Sequence, residues 1–357
     1  MMKSRVLLPL LTLFATGWCA LASAADAPEV IRFGVATVGK GGTPFAAGSV
    51  TGLAHQRKAV EEELKADNIR VDWVFFKGAG PAVNEALANK QLDFAWQGDL
   101  PAVIAKAGGL NTKLITADSL LTSVYLVVPA DSPAKTLEDL KGKKVAQFKG
   151  TNLQLATART LKAEGLSERD FRTVNMEFST MSSALASKDI DGAWMPAQAF
   201  DLQAAGVARI IYDTRAKSPK FTRQGHVLVD AAFEQKYPAV VQKVVDALVK
   251  TAAWATTPGN EEAALALWAN AGVRIESLRA EQEGQSFIRR YSPRIDEFFI
   301  DRYRATVTES RELGLLRGDV EVKDWVEPKY VNNALERLGF KNLWPEYDAN
   351  NQPKKAL

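Results

Sequence analysis

The chain has 357 residues, two histidines, one cysteine and a formal net charge of +3. This length is enough for two α/β lobes with a core each. The small net charge gives no sign of a nucleic-acid partner or of an anionic membrane surface. A single cysteine, Cys19, excludes a disulfide framework and a cysteine-based metal site.

Residues 1–24 have the pattern of a secretory signal peptide. Lys3 and Arg5 precede an apolar run over 6–13, and Ala22-Ser23-Ala24 fits a cleavage site with small residues. The apolar run is too short to span a bilayer. We therefore expect an exported protein, and cleavage would leave its mature chain without cysteine.

Apolar runs alternate with helical stretches from residue 30 to about residue 230. This alternation predicts two doubly wound, mostly parallel sheets, in which ligands bind at the carboxyl ends of the strands. From residue 231 onward the pattern is helical only. Over 233–345 we predict helices packed on the first lobe, including an apolar face at helical spacing, which comprises Val240, Val241, Val244, Val245, Leu248 and Ala252.

Eleven residues occur twice, with seven identical positions. ALANKQLDFAW over 86–96 returns as ALASKDIDGAW over 184–194. Each copy reads as a helix end, a polar turn and a buried strand that stops at tryptophan. One such unit in each half predicts two similar lobes whose strand ends face one cleft.

Two extended segments, 119–129 and 223–230, are candidate crossover strands between the lobes and would act as a hinge. The resulting organisation is a signal peptide over 1–24, a discontinuous first lobe over 25–121 and 225–357, and a second lobe over 122–224. The helical C-terminal part belongs to the first lobe.

Motifs for catalysis or cofactor binding are incomplete in this chain. Gly34 to Lys40 resembles a phosphate-binding loop, but Gly41 replaces the hydroxyl residue that would bind Mg²⁺. Gly78-Ala-Gly80 resembles a dinucleotide fingerprint, but Val83 stands where the third glycine belongs. We predict neither a cofactor nor a metal, and no enzymatic activity.

Loops at the strand ends are rich in hydroxyl and amide groups, and two of them lead into predicted helices. Free N–H groups at helix starts bind anions without a formal counter-charge. The alternative for Thr151, Asn152 and Asp99 is that they only cap their helices. Trp194 and the apolar residues that follow it would pack against the ligand's tail. The predicted ligand-binding residues are Thr43, Gln97, Gly98, Asp99, Thr122, Ser123, Gly150, Thr151, Asn152, Trp194 and Arg223.

Four stretches of the chain resemble the periplasmic binding proteins for aliphatic sulfonates, taurine and nitrate. They are IRFG (31–34), EALANKQLDFAWQGDLPAVIAKAGG (85–109), TLEDLKGKKVAQFKGTNLQLATARTLKAEGL (136–166) and SALASKDIDGAWMP (183–196). The resemblance implies a bilobal α/β fold with two crossover strands that closes on a ligand in the cleft. It also implies oxyanion contacts at Thr43, Gly98–Asp99 and Thr151–Asn152.

The function that this resemblance implies is capture of a small sulfonate or sulfate ester in the periplasm. The expected partner is the membrane permease of an ABC importer, and we expect a monomer that binds no nucleic acid. Two alternatives stay open: a protein of the same fold that binds nitrate or another small anion, and an enzyme similar to thiamine-pyrimidine synthases.

Overall fold

The computed structural model describes residues 27–215 and 217–354. The predicted signal peptide and Cys19 lie outside the described residues. Within these two ranges, no helix combines the length and hydropathy that a membrane span needs.

Ten strands in the described part of the chain form two sheets of five. The strands are β1 (Val30–Val35), β2 (Arg70–Phe75), β3 (Phe94–Gly98), β4 (Thr112–Ala117), β5 (Tyr125–Pro129), β6 (Lys144–Gln147), β7 (Arg172–Asn175), β8 (Gly192–Met195), β9 (Ala208–Asp213) and β10 (Gly225–Asp230). The first sheet has the order β2-β1-β3-β10-β4, and the second has the order β7-β6-β8-β5-β9.

The two sheets have matching pairing patterns. In each sheet one strand, β10 or β5, runs antiparallel to both of its neighbours, and the other pairings are parallel. The repeated sequence lies on β3 and β8, the central strand of each sheet. The predicted fold of two α/β lobes is therefore confirmed, but each sheet is mixed, with two parallel and two antiparallel pairings. The lobe boundaries stay a prediction.

Fifteen α-helices pack on these sheets within the described residues. They are α1 (Val50–Gln56), α2 (Ala59–Leu64), α3 (Ala79–Ala88), α4 (Asp99–Ala107), α5 (Asn152–Ala163), α6 (Phe178–Ala186), α7 (Gln198–Ala204), α8 (Ala231–Lys236), α9 (Pro238–Thr256), α10 (Glu261–Ala269), α11 (Ile275–Gln282), α12 (Phe287–Arg290), α13 (Glu297–Glu312), α14 (Val322–Trp325) and α15 (Lys329–Arg337). Their order confirms the helical C-terminal part.

The C-terminal helices cover both faces of the first sheet. On one face, α9 buries the predicted apolar residues against β1 and β3. On the other face, α13 and α14 bury Tyr303 and Trp325 against β3 and β4. A separate cluster forms the core of the second lobe. Each lobe therefore has its own core.

The chain crosses twice between the lobes at neighbouring positions. Thr122 and Arg223 form an antiparallel bridge. The Thr122 amide donates to the Arg223 carbonyl at 3.0 Å, and the Arg223 amide donates to the Thr122 carbonyl at 2.9 Å. Two short paired connections allow the lobes to rotate about one line.

The lobes contact each other on several sides of the cleft. A Cβ atom at Gly98 would lie 2.2 Å from Asn152 Nδ2, so only glycine allows α4 and α5 to begin this close together. Lys77 Nζ lies 3.0 Å from Glu177 Oε2 across the cleft. Ser277 donates to Asp201 Oδ1 at 2.5 Å, which joins α11 to α7. These contacts describe a closed arrangement.

Candidate functional site

A cavity of about 150 Å³ lies between the lobes at the carboxyl ends of the strands. Thr37 follows β1, Gly98 ends β3, Thr151 follows β6, and Pro196 follows β8; all four line the cavity. Parallel strands converge there because the chain leaves both sheets on this side. This cavity, which we call the inner chamber, is the candidate ligand site.

Unused backbone amides reach the inner chamber at the start of two helices. α3 has 10 residues and α5 has 12. The amides of Gly80, Thr151 and Asn152, which line the chamber, donate to no atom of the described residues. Such groups carry the positive end of a helix dipole, so they attract an oxyanion.

Two buried arginines add formal positive charge to the chamber. Arg223 Nη2 donates to the Ser123 carbonyl at 3.0 Å, and Nη1 donates to Asn152 Oδ1 at 3.3 Å. The Nε atoms of Arg223 and Arg290 are buried without a hydrogen-bond partner among the described residues. Both guanidinium groups line the chamber, so their positive charge attracts an anion there.

One buried carboxylate balances part of that charge. Glu281 lines the chamber, and its Oε1 accepts from Arg290 Nη2 at the long distance of 3.4 Å. Burial lowers the pKa of Arg223, while the charge of Glu281 raises it; an arginine stays protonated in either case. Two arginines and one glutamate leave a formal excess of one positive charge, which matches a monoanion.

Five of the predicted site residues line the chamber: Gly98, Thr122, Thr151, Asn152 and Arg223. The hydroxyl of Thr151 caps α5, because it donates to the Phe148 carbonyl at 2.7 Å and accepts from the Leu153 amide at 3.3 Å. The hydroxyl proton of Thr151 therefore takes part in a hydrogen bond within the second lobe. Thr151 can offer an anion its amide, and its hydroxyl does not donate to the chamber.

Three further predicted residues are turned away from the chamber by local hydrogen bonds. Thr43 is exposed, and its hydroxyl donates to the Lys40 carbonyl at 3.2 Å. Gln97 is fully buried and donates from Nε2 to Asn84 Oδ1 at 3.0 Å. Asp99 accepts from the Leu100 amide at 2.8 Å. Its other carboxylate oxygen accepts from the Gln224 amide at 3.3 Å, so Asp99 joins the start of α4 to the second crossover and does not line the chamber.

Gly150 and Ser123 also lie behind the chamber wall. The Gly150 amide donates to Gln154 Oε1 at 2.8 Å, within the turn that precedes α5. Its φ of 76° is a left-handed conformation that favours glycine. Ser123 is buried and offers its carbonyl to Arg223. Both residues support the site from behind, and neither lines the chamber.

The prediction that Trp194 packs against the ligand's tail is wrong. Trp194 is 2% exposed in the core of the second lobe, with its ring 6.1 Å from that of Tyr212. Its counterpart in the repeat, Trp96, lines the inner chamber. The two tryptophans hold the same position of the repeat, and their surroundings differ because different helices cover the two strands.

Glu281, Arg290 and Phe178 line the chamber and were not predicted. Glu281 and Arg290 come from α11 and α12, far along the chain from the sheet loops. Their sequence context is an ordinary charged helix, so no local pattern marks them. Phe178 begins α6 directly after β7, and a loop search restricted to hydroxyl and amide residues misses it.

Two buried titratable groups lie outside the chamber. Burial lowers the pKa of His226 to about 3, and its Nδ1 contacts the Tyr303 hydroxyl, so His226 is a neutral core residue. Burial raises the pKa of Asp118 to about 6. Asp118 accepts from the Thr51 amide and hydroxyl, both at 2.7 Å, at the start of α1.

The model of one protein family matches just over half of the chain. Its description is "NMT1/THI5 like", and the match covers residues 65–263. The chain belongs to this family. The match spans both sheets and includes the repeated unit, the crossover residues and the start of α5.

Named relatives agree with this assignment. A solved structure described as the periplasmic sulfonate-binding protein SsuA of a sulfonate ABC transporter, from Methylobacillus flagellatus KT, is 31% identical and covers 90% of this chain and 98% of that one, with a TM-score of 0.78. An aliphatic sulfonates-binding protein of Bacillus subtilis (strain 168) is 26% identical over 57% of this chain. The chain covers 60% of the length of that curated relative.

Two more distant matches bear on the alternatives. A 2'-hydroxybiphenyl-2-sulfinate desulfinase of Rhodococcus erythropolis is 29% identical over 44% of this chain and 42% of its own length. The periplasmic nitrate-binding protein NrtA of Synechocystis PCC 6803 is 13% identical over 90% of this chain and 94% of its own, with a TM-score of 0.66, and shows the fold alone. The resemblance to periplasmic sulfonate-binding proteins is confirmed.

Proposed function

We propose that this protein is the periplasmic solute-binding component of an ABC importer and captures a small sulfonate or sulfate ester. The signal peptide would export it, and the closed protein would deliver its ligand to a membrane permease as a monomer. No bond is made or broken. Binding energy is used to favour the closed arrangement that the transporter recognises.

The observation that carries this proposal is the set of unused donors in the inner chamber. Three free backbone amides and two buried arginine side chains line about 150 Å³. A sulfonate or sulfate-ester head offers three oxygen acceptors and carries one negative charge at neutral pH. Its charge equals the formal excess of Arg223 and Arg290 over Glu281, so head and chamber are complementary.

An enzymatic role similar to the desulfinase is less well supported by the residues of this chain. Cys19 is the only cysteine of the sequence, so residues 27–354 contain no thiol to act as a nucleophile. Among the described residues, no cluster of His, Cys, Asp and Glu could hold a metal ion. The titratable groups of the chamber are two arginines and one glutamate, which suit charge recognition.

A thermal-shift and calorimetry panel tests the proposed function. It should include taurine, ethanesulfonate, an aryl sulfate, sulfate and nitrate, with the mature chain. We expect the sulfonates or the ester to raise the melting temperature most, since a ligand at 100 times its Kd stabilises a protein by about 2.7 kcal/mol. Nitrate should bind more weakly, because it has no tail to contact Trp96 and Phe178. Failure of every organic sulfonate and sulfate ester to bind would refute the proposal.

A further inference from the structure

We propose that the ligand carries a bulky, ring-bearing tail, which occupies a second cavity that opens from the inner chamber. This cavity, the outer chamber, measures about 590 Å³. It shares Thr37, Val38, Ala79, Phe178 and Gln198 with the inner chamber. The inference rests on the proposed function and names the class of sulfonate or sulfate ester that the site takes.

The size of the inner chamber sets a limit on what it holds alone. A dry protein cavity of about 150 Å³ admits a molecule the size of benzene, which has six heavy atoms. A sulfonate group already contributes four heavy atoms. The inner chamber, at about 150 Å³, therefore has room for the head and roughly two or three tail atoms. A longer tail must leave it, and the shared lining residues place the exit toward the outer chamber.

Aromatic side chains line the passage and the outer chamber. Phe178, at the start of α6, borders both chambers. Phe148, at the end of β6, lines the outer chamber and meets Phe178 edge to face, with ring centroids 5.4 Å apart and an interplanar angle of 82°. Leu202 of α7 and Val273 complete the apolar walls. Such walls favour flat rings by stacking and edge contacts over short or charged tails.

The rim of the outer chamber is polar and joins the two lobes. Lys77 of the first lobe and Glu177 of the second line it and form an ion pair. Lys40 also lines the outer chamber, and its backbone amide donates a hydrogen bond to the Ala271 carbonyl at 2.7 Å. The far end of a long tail would thus reach hydrated groups, and the lobes can close with the tail in place. The head is recognised by charge and the ring by the phenylalanine walls.

Calorimetry with a homologous series tests the inference on the wild-type mature chain. The series is methanesulfonate, ethanesulfonate, benzenesulfonate and 2-naphthalenesulfonate, which share one head and differ in tail. We expect the Kd of 2-naphthalenesulfonate to be at least about tenfold lower than that of ethanesulfonate, because the larger ring buries more apolar surface. Equal affinity across the series, or preference for methanesulfonate, would overturn the inference.

Two variants locate the tail. Phe178→Ala should weaken 2-naphthalenesulfonate about tenfold or more and change methanesulfonate by less than about threefold. The matched control is Phe171→Ala, since Phe171 packs on the core of the same lobe and borders neither chamber. Ser182→Trp fills the outer chamber from α6 and should give the same selective loss, whereas Ser182→Ala should not. Equal losses for both ligands would contradict a tail site here.

Different results would refute the proposed function and the tail site in the outer chamber. If no sulfonate of the series binds to folded protein, the proposed function itself is refuted. If methanesulfonate and ethanesulfonate bind tightly and ring-bearing sulfonates bind no better, the function stands and the outer chamber has no role in recognition.

Discussion

Arg223 shows how one side chain connects the hinge to the candidate site. Its backbone forms the bridge with Thr122 between the crossover segments. Its guanidinium contacts Asn152 at the start of α5 and lines the inner chamber. The residue therefore carries both the charge that attracts an anion and a contact to the lobe that closes over it.

Replacing Arg223 with glutamine tests this role at the residue scale. We expect Arg223→Gln to raise the Kd for any bound sulfonate about 10- to 100-fold, because a hydrogen bond to a charged group is worth about 1.5–3 kcal/mol. Calorimetry would measure the Kd, and circular dichroism would establish that the variant is folded. Arg172→Gln is the control, since Arg172 is exposed on β7. Unchanged affinity in folded Arg223→Gln would remove Arg223 from the site.

Helix starts differ in whether a side chain of the protein already accepts hydrogen bonds from their free amides. At α1, the amides of Val50 and Thr51 both donate to the carboxylate of Asp118, and Ser49 accepts from Gly52. At α5, the Asn152 amide has no partner among the described residues. An internal carboxylate thus occupies the first helix start, and only the second is left for a ligand.

The carboxylate at α1 gives a prediction about stability and pH. Burial raises the pKa of Asp118 to about 6, so between pH 4 and 6 the folded state binds more protons than the unfolded state. Its contribution to stability is fully present below about pH 4 and is lost as the pH rises through about 6. Relative to Asp118→Asn, the wild-type free energy of unfolding should fall by about 2–3 kcal/mol between pH 3.5 and pH 7.5.

Urea denaturation at a series of pH values measures this difference. Asp189→Asn is the control for the loss of a surface carboxylate, because Asp189 is exposed at the turn of the second repeat copy. A wild-type advantage over Asp118→Asn that does not change with pH would show that Asp118 keeps an ordinary pKa.

At the scale of the whole molecule, closure depends on contacts between lobes that lie outside the inner chamber. Asp201 on α7 accepts from the Ser277 hydroxyl at 2.5 Å and from the Arg274 amide at 3.2 Å, both at α11. Arg159 on α5 pairs with Glu309 on α13, and its Nη2 donates to Thr306 at 3.0 Å. These bonds join helices that the predicted boundaries place in different lobes, so we expect them to shift the equilibrium toward the closed state.

Removing a closure contact should weaken all ligands alike. We expect Asp201→Ala to raise the Kd about 3- to 10-fold for short and long sulfonates, because the closed state loses hydrogen bonds worth about 1 kcal/mol. Small-angle scattering should show a more open unliganded protein. Asp131→Ala is the control, since Asp131 pairs with Lys188 on the exposed surface of the same lobe. Asp201 also lines the outer chamber, so a loss confined to ring-bearing sulfonates would show that it contacts their tail and does not act through closure.

The repeated unit shows how far local sequence predicts this fold. Its helix, turn and strand occur twice as expected, on β3 and β8, because apolar periodicity and turn residues act over a few positions. The locations of the two tryptophan side chains could not be predicted from such local patterns. Trp96 reaches the inner chamber and Trp194 is buried, since the covering helices come from distant parts of the chain.

The sequence by itself determined the two α/β lobes, the paired crossovers and the helix start at Asn152, because these depend on hydrophobic periodicity and on residues next to each other. It also indicated an anion site at the strand ends. Only the tertiary structure decided which groups face that site. Glu281 and Arg290 come from the C-terminal helices, and Phe178 borders both chambers. The Thr151 side chain caps α5, and the Asp99 side chain accepts from the Leu100 and Gln224 amides. Side-chain direction and long-range packing set these outcomes, and neither leaves a local pattern in the chain.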